Sequence, residues 1–89
     1  MELEVILVLE MTALVASENG GVVRPLWVED RLKETYKGDA PNRYRVRKCF
    51  AAFRESDLVQ LRGNYYMWNM DNVTVAFLID AGLSAEGAA

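Results

Sequence analysis

The chain has 89 residues, of which 52% are apolar and 26% are charged, and its net charge is −3. A chain of this size holds one hydrophobic core, and so large an apolar share excludes disorder over most of its length. We therefore expect a soluble single domain over residues 1–83 with a disordered tail over 84–89, and the low net charge excludes strong attraction of the whole chain to polyanions.

Three features of the sequence argue against an enzyme. Histidine is absent, which removes the commonest general base and the commonest metal ligand. Cys49, the single cysteine, adjoins Phe50 and is expected to be a core thiol, and the lack of an intramolecular disulfide favours a cytoplasmic location. The adjacent carboxylates Glu29 and Asp30 would point to different sides of a helix and are expected at the surface. We predict no enzymatic activity, no catalytic residue, no metal site and no cofactor.

The segment from Val5 to Ala16 is almost continuously apolar. Glu10 interrupts it, and roughly 18 uninterrupted apolar residues are needed to span a bilayer, so we predict no membrane span. Its length favours a helix over Glu2–Glu18 rather than a buried strand. Because its polar residues are scattered around the helical wheel, this helix is expected either at the centre of the core or in a dimer interface.

Turn-forming residues divide the next part of the chain. Asn19–Gly21 tolerate left-handed backbone and end the first helix, and Val22–Arg24 predict a brief strand before proline. A second helix over Pro25–Lys37 is expected to end at Gly38. Its buried stripe falls at every fourth position, namely Val28, Leu32 and Tyr36, and Trp27 is expected in the core or in an interface.

The third helix has the clearest pattern in the chain. Either Asp39 or Asn42 can cap its start, and it is expected to run to about Ser56. Its apolar residues follow the i, i+3, i+4, i+7 spacing of a single core-facing stripe, at Val46, Cys49, Phe50 and Phe53.

A tight β-hairpin is predicted next. The stretches Leu58–Arg62 and Tyr65–Trp68 flank Gly63-Asn64, and glycine in the first loop position suits a II′ turn. Alternation along the second strand places Tyr66 and Trp68 on one face and Tyr65 and Met67 on the other, and we expect one of these two faces to pack against the core. A last helix is expected from about Asp71 to Gly82.

These elements predict a mainly α fold with a small β-hairpin (α+β), in the order helix, short strand, helix, helix, hairpin, helix. The stretch Val46–Val59, followed by Arg62-Gly63-Asn64-Tyr65-Tyr66, resembles the recognition helix and wing of winged helix-turn-helix DNA-binding domains. The resemblance covers about Met11–Asn69. Asp57 stands where members of that family usually have glycine, and phenylalanines replace their core leucines. The wing is minimal, so Arg62 is expected to reach a neighbouring phosphate.

Charge is unevenly distributed along the chain. Residues 41–63 contain six basic residues and two acidic ones, a local net charge of +4, and the remainder carries −7. With the core stripe inward, the helical wheel places Tyr44, Lys48, Ala51 and Glu55 outward, with Arg47 and Arg54 on one flank and Arg45 on the other. A small residue such as Ala51 between basic ones permits close approach to a groove of DNA.

We therefore predict a small transcriptional regulator that binds double-stranded DNA, either at specific sequences or generally, as a homodimer formed through the first and last helices. Base or phosphate contacts are expected from Tyr44, Arg45, Arg47 and Lys48, and backbone anchoring from Arg43, Arg54 and Arg62. Two alternatives stay open. The basic face could be merely solvated or paired with Glu29-Asp30 and Glu34, or the domain could be a winged-helix protein-protein interaction module that does not bind DNA.

Overall fold

The computed structural model describes residues 3–69. Within this range three helices pack with a three-stranded antiparallel sheet, so the chain is mainly helical and of the α+β class. The elements are α1 (Leu3–Glu18), β1 (Val22–Val23), α2 (Pro25–Tyr36), a short 3-10 helix (Lys37–Asp39), α3 (Arg43–Glu55), β2 (Val59–Arg62) and β3 (Tyr65–Trp68). The expected last helix over 71–82, the tail over 84–89 and the domain end at 83 lie outside the described residues.

Helix α1 lies at the centre of the core, which confirms the helix prediction for the first segment. Val8 and Leu9 are completely buried, and Thr12 is buried as well. The Thr12 hydroxyl donates a hydrogen bond to the Val8 carbonyl at 2.6 Å, so a polar side chain is accommodated here at little cost. None of the helices within residues 3–69 is long and apolar enough to cross a membrane.

The sheet has the order β1-β3-β2, so β3 is its middle strand. Strand β1 pairs with β3 through Val22 opposite Met67 and Val23 opposite Tyr66. Strand β2 pairs with β3 from Val59 opposite Trp68 to Arg62 opposite Tyr65, which forms the predicted hairpin. The short strand before proline is therefore an edge strand that extends this hairpin.

Helix α2 departs from the prediction at its end. It stops at Tyr36 and not at Lys37, and Lys37 rather than Gly38 takes a positive φ, of 52°, before the short 3-10 helix. Val28 and Leu32 are buried as expected, but Tyr36 is exposed because it lies in the last turn, beyond the core. Trp27 is also exposed, with the Arg24 guanidinium 5.7 Å from its ring centroid, so it does not belong to the core.

The prediction that Glu29 lies at the surface is wrong. Its side chain is only 3% exposed, although that of its helical neighbour Asp30 is exposed as predicted. Glu29 lies beside the buried stripe of α2, on the side that faces α3, and two arginines of α3 cover its carboxylate. A charged residue can be buried in this position because opposite charges lie against it.

Helix α3 follows the prediction closely. Asn42 is its N-cap, and the Asn42 side-chain oxygen accepts a hydrogen bond from the Arg45 backbone N–H at 2.9 Å. The predicted stripe is buried throughout, at Val46, Cys49, Phe50 and Phe53.

The end of α3 forms a Schellman motif. The Leu58 N–H donates to the Phe53 carbonyl at 2.9 Å, and the Asp57 N–H donates to the Arg54 carbonyl at 3.1 Å. Asp57 has φ of 60°, the left-handed conformation that glycine adopts most easily. The backbone here therefore has the glycine-like form, although the residue is aspartate.

The hairpin turn has the predicted form, and the structure decides which face of β3 is the core face. Gly63 has φ of 64° and Asn64 is not among the residues with positive φ, as a II′ turn requires. Tyr66 and Trp68 pack against the core, and the Tyr66 ring lies 5.2 Å from that of Phe50, centroid to centroid. The contact between Tyr66 and Phe50 packs the hairpin against the buried stripe of α3.

Candidate nucleic-acid interface

The side of α3 opposite the core forms an exposed face. Tyr44 is 73% exposed, and Lys48, Ala51 and Glu55 are exposed as well. Their spacing of four, three and four residues places them on one line along the helix. We call these four residues the outer face of α3. Its middle is narrow because Ala51 carries only a methyl group.

Two basic residues of α3 keep their charge available to a ligand. Lys48 on the outer face and Arg54 on the flank are exposed, and neither forms an ion pair with any residue in the described part of the chain. Arg54 lines a cleft between α3 and the hairpin, together with Arg47, Ala51, Glu55 and Tyr66. This cleft presents positive charge beside an aromatic ring.

Arg45 lies on the opposite flank and is bound to α1. Its Nη1 donates to Glu4 Oε2 at 2.7 Å, and its side chain is nevertheless 61% exposed. Between α1 and α3 runs an open groove lined by Glu4, Val5, Tyr44, Arg45, Lys48, Cys49 and Ala52. The pairing with Glu4 partly neutralises this flank.

Arg43 and Arg47 share one buried carboxylate. Arg43 Nε lies 3.8 Å from Glu29 Oε1, and Arg47 Nη2 lies 3.5 Å from Glu29 Oε2. The two arginines are four residues apart, so they stand one turn above each other on the same flank of α3. Glu29 Oε2 is buried and has no hydrogen-bond partner among the described residues.

The hairpin contributes Arg62 next to the turn. Arg62 Nη2 and Nε donate to the Gln60 side-chain oxygen at 2.9 and 3.3 Å. This contact holds the guanidinium along β2 without neutralising it, since Gln60 carries no charge. The end of β2 next to the hairpin turn therefore carries one more cation.

The structure brings most of the predicted site residues onto one element. Seven of them lie on α3 and one lies on β2, namely Arg43, Tyr44, Arg45, Arg47, Lys48, Ala51 and Arg54, and Arg62. Glu29 was one of the acidic residues offered above as alternative partners of the basic face, and it does pair with Arg43 and Arg47, whereas Glu4 was not foreseen as the partner of Arg45. For Glu29 a signal was present, because it flanks the buried stripe of α2 and Arg43 and Arg47 have the i, i+4 spacing that can straddle one carboxylate.

Other kinds of site find little support in the described part of the chain. Residues 3–69 contain no group of three or more acidic, cysteine or histidine side chains that could hold a metal ion. The chain matches no protein-family model, no curated protein and no solved structure. The geometry and charge of α3 are therefore the basis for the functional proposal.

Proposed function

We propose that this protein is a winged-helix DNA-binding protein that acts as a small transcriptional regulator and inserts α3 into the major groove of double-stranded DNA. The observation that carries the proposal is the outer face of α3, where Lys48 and Ala51 are exposed and Arg54 stands on the flank without an ion pair to any residue of 3–69. A helix fits the major groove, and a narrow surface between cations lets it approach the bases and both phosphate backbones.

The arrangement of the described elements supports the winged-helix part of the proposal. Helix α3 runs directly into the hairpin, and β1 joins the same sheet at its edge. Asp57 adopts the conformation of the glycine that the family usually has at this point. The hairpin is short, so the proposed wing contacts one backbone phosphate through Arg62 and does not enter the minor groove.

The proposed contacts differ along α3. Lys48 and Tyr44 face the groove, and Arg47 can bind guanine edges or phosphate bidentately. Arg43, Arg54 and Arg62 anchor the backbone, where contacts set the register without reading sequence. Arg45 has a weaker role than the sequence suggests, because Glu4 already binds its guanidinium.

The proposal includes a homodimer, of which α1 forms the described part of the interface. Leu3 and Leu14 are 58% and 47% exposed. They share one stripe of α1 with Leu7 and Glu10, and Tyr36 lines the same shallow cleft as Leu14. Exposed leucines on one helical stripe suit self-association, which sedimentation equilibrium of the intact chain tests.

Charge reversal on α3 tests DNA binding directly. In the variant Lys48→Glu, Arg54→Glu, neither substitution breaks an ion pair among residues 3–69, so the fold should persist. We expect fluorescence anisotropy with a random-sequence duplex to show binding by the unaltered protein at low salt. The variant should lose at least about 100-fold in affinity, because two cations that face the DNA are replaced by anions that its phosphates repel.

The matched control is Lys33→Glu, Lys37→Glu. Both lysines are exposed at the end of α2 and in the turn that follows, and the change in net charge is the same. The control should retain most of its affinity. Equal losses in both variants would show a general charge effect and contradict binding through α3, and no binding by the folded unaltered protein would contradict the proposal altogether.

A second candidate function is a winged-helix module that binds another protein and leaves DNA alone. Leu26 and Trp27 favour it, because both are large, apolar and exposed at the start of α2. Retention on a heparin column separates the two candidates, since only a clustered basic face retains a protein with an isoelectric point near 4.9. Neither candidate requires catalysis or a cofactor, and both suit the cytoplasm.

A further inference from the structure

Glu29 occupies an unusual position behind the proposed DNA-binding helix. Its side chain is 3% exposed, whereas the side chains of Arg43 and Arg47 are 70% and 46% exposed. The carboxylate therefore lies beneath the two guanidinium groups, which stand between it and solvent. An anion in this place cannot touch a ligand, but it can act on the arginines that do.

The charges do not balance at this site. One carboxylate faces two guanidinium groups at 3.5 and 3.8 Å, so the cluster keeps a net charge of about +1 instead of +2. Attraction between charges is stronger at a buried site than in water, because the surroundings screen it less. Glu29 consequently attracts both arginines, but its single charge cannot neutralise both guanidinium groups.

We propose that Glu29 is an internal competitor for DNA phosphates, which restrains Arg43 and Arg47 in the free protein and gives them up when a duplex is bound. This inference rests on the proposed function and adds a regulatory element to the same site. Glu29 does not itself contact DNA and acts only through the two arginines, so it is a positioning residue. It lowers the affinity of α3 for non-specific DNA, which depends almost entirely on cations that neutralise phosphates.

The geometry favours exchange of partners over permanent pairing. The distances of 3.5 and 3.8 Å are longer than hydrogen bonds, and Glu29 Oε2 has no hydrogen-bond partner in the described structure. A phosphate oxygen can offer a guanidinium a short, charge-assisted hydrogen bond of about 2.8 Å. A phosphate therefore competes well for Arg47, whereas the two hydrogen bonds from Arg31 to Glu18, at 2.9 and 2.7 Å, show what a saturated pair looks like in this chain.

The test compares Glu29→Gln with Glu34→Gln. Both substitutions remove one negative charge from α2, but Glu34 is exposed, and within residues 3–69 it pairs with Arg31, at 4.0 Å, and not with an arginine of α3. The probes are a random-sequence 20-base-pair duplex, followed by fluorescence anisotropy across a salt series, and a heparin column. Circular dichroism confirms that each variant is folded.

We expect Glu29→Gln to bind the duplex about three- to tenfold more tightly than the unaltered protein at about 100 mM salt. The slope of log affinity against log salt should steepen by up to about 0.9, the value for one additional neutralised phosphate. Elution from heparin should move to higher salt. Glu34→Gln should produce less than half of each effect.

The outcomes separate this inference from the proposed function. If the unaltered protein binds DNA but Glu29→Gln and Glu34→Gln behave alike, the competition is overturned and the function stands. If no protein binds the duplex while Glu29→Gln alone gains retention on heparin, the competition is supported and the function fails. If neither probe responds to Glu29→Gln, the competition is overturned.

A measurement on the unaltered protein covers the case in which Glu29→Gln does not fold. Side-chain NMR can follow the Nε–H signals of Arg43, Arg47 and Arg31 together with the carboxyl carbon of Glu29 as duplex is added. We expect Arg47 and Glu29 to shift together while Arg31, bound to Glu18, stays in place. Stationary Glu29 and Arg47 signals would overturn the inference.

Discussion

Glu29 Oε2 lies 3.5 Å from Nη2 of Arg47, and this pair joins a buried position of α2 to the exposed flank of α3. The loss of folding stability depends on which partner of the pair is removed. Removing Glu29 leaves arginines that remain in water, so Glu29→Gln should change stability by less than about 1 kcal/mol. Removing Arg43 and Arg47 leaves a buried carboxylate uncompensated, and Arg43→Met with Arg47→Met should cost about 3 kcal/mol. Urea denaturation measures both effects.

The triple variant, which also carries Glu29→Gln, is the internal control for that prediction. It no longer contains the buried charge, so most of the lost stability should return. A triple variant as unstable as the double one would mean that the arginines stabilise the fold through packing of their side chains and not through Glu29.

Asp57 should be a stabilising site for glycine. Its φ of 60° strains an L-residue, and no side-chain hydrogen bond of Asp57 is present among the described contacts. Asp57→Gly should therefore raise the free energy of unfolding by about 0.5 to 1 kcal/mol, and Asp57→Ala should lower it. Thermal melting of both variants checks this; a destabilised glycine variant would mean that the aspartate side chain has a role of its own.

Phe50 should be among the most sensitive core positions. It is fully buried and its ring lies 5.9 Å from that of Phe53 and 5.2 Å from that of Tyr66. Phe50→Ala should cost about 3 to 5 kcal/mol, since it opens a cavity between α3 and the hairpin. The matched control on the same helix is Tyr44→Ala, which should change stability by less than about 0.5 kcal/mol. Comparable losses in chemical denaturation would contradict the assigned faces of α3.

Ala51 should limit how closely α3 approaches DNA. Ala51→Leu keeps a good helix former but adds bulk to the outer face, and we expect about tenfold weaker DNA binding with unchanged stability. Thr35→Leu is the control, because Thr35 is also exposed but lies on α2 and not on α3. Anisotropy titrations compare the two, and similar losses in both would argue against a groove contact centred on Ala51.

The ion pair between Glu18 and Arg31 should make stability depend on acid pH. Hydrogen bonds from Arg31 lower the pKa of Glu18 below its ordinary value of 4.5. A lowered pKa means that this contribution is complete above 4.5 and is lost as the pH falls through the lower folded value. The stability difference between the unaltered protein and Glu18→Gln should therefore shrink below pH 4.5. Denaturation of both proteins at pH 7 and pH 3 tests this. If the stability difference between them were the same at both pH values, it would not arise from the ion pair between Glu18 and Arg31.

The sequence predicted the elements of residues 3–69 well because their signals are local. The stripe from Val46 to Phe53 and the glycine-led turn at Gly63 each determine the conformation of a few neighbouring residues, and the structure has both. The end of α2 was less predictable. Two adjacent residues, Lys37 and Gly38, could take the positive φ, and it is the lysine that does so.

The candidate site was only partly predictable, since its partners are distant in the sequence. The helical wheel identifies which residues of α3 point outward, but it cannot show that Glu4 binds Arg45 across 41 positions. The burial of Glu29 likewise depends on how α2 and α3 pack. The wheel therefore predicted the positions of the basic residues correctly, but it could not decide which of them are paired.

The most direct test of DNA binding through α3 is an NMR titration that follows the backbone amides as a short duplex is added. We predict that the largest shifts occur at the outer face of α3 and at the hairpin turn, with smaller shifts at Leu26 and Trp27. Shifts centred on Leu26 and Trp27, or no shifts at a duplex concentration of about 1 mM, would contradict the account.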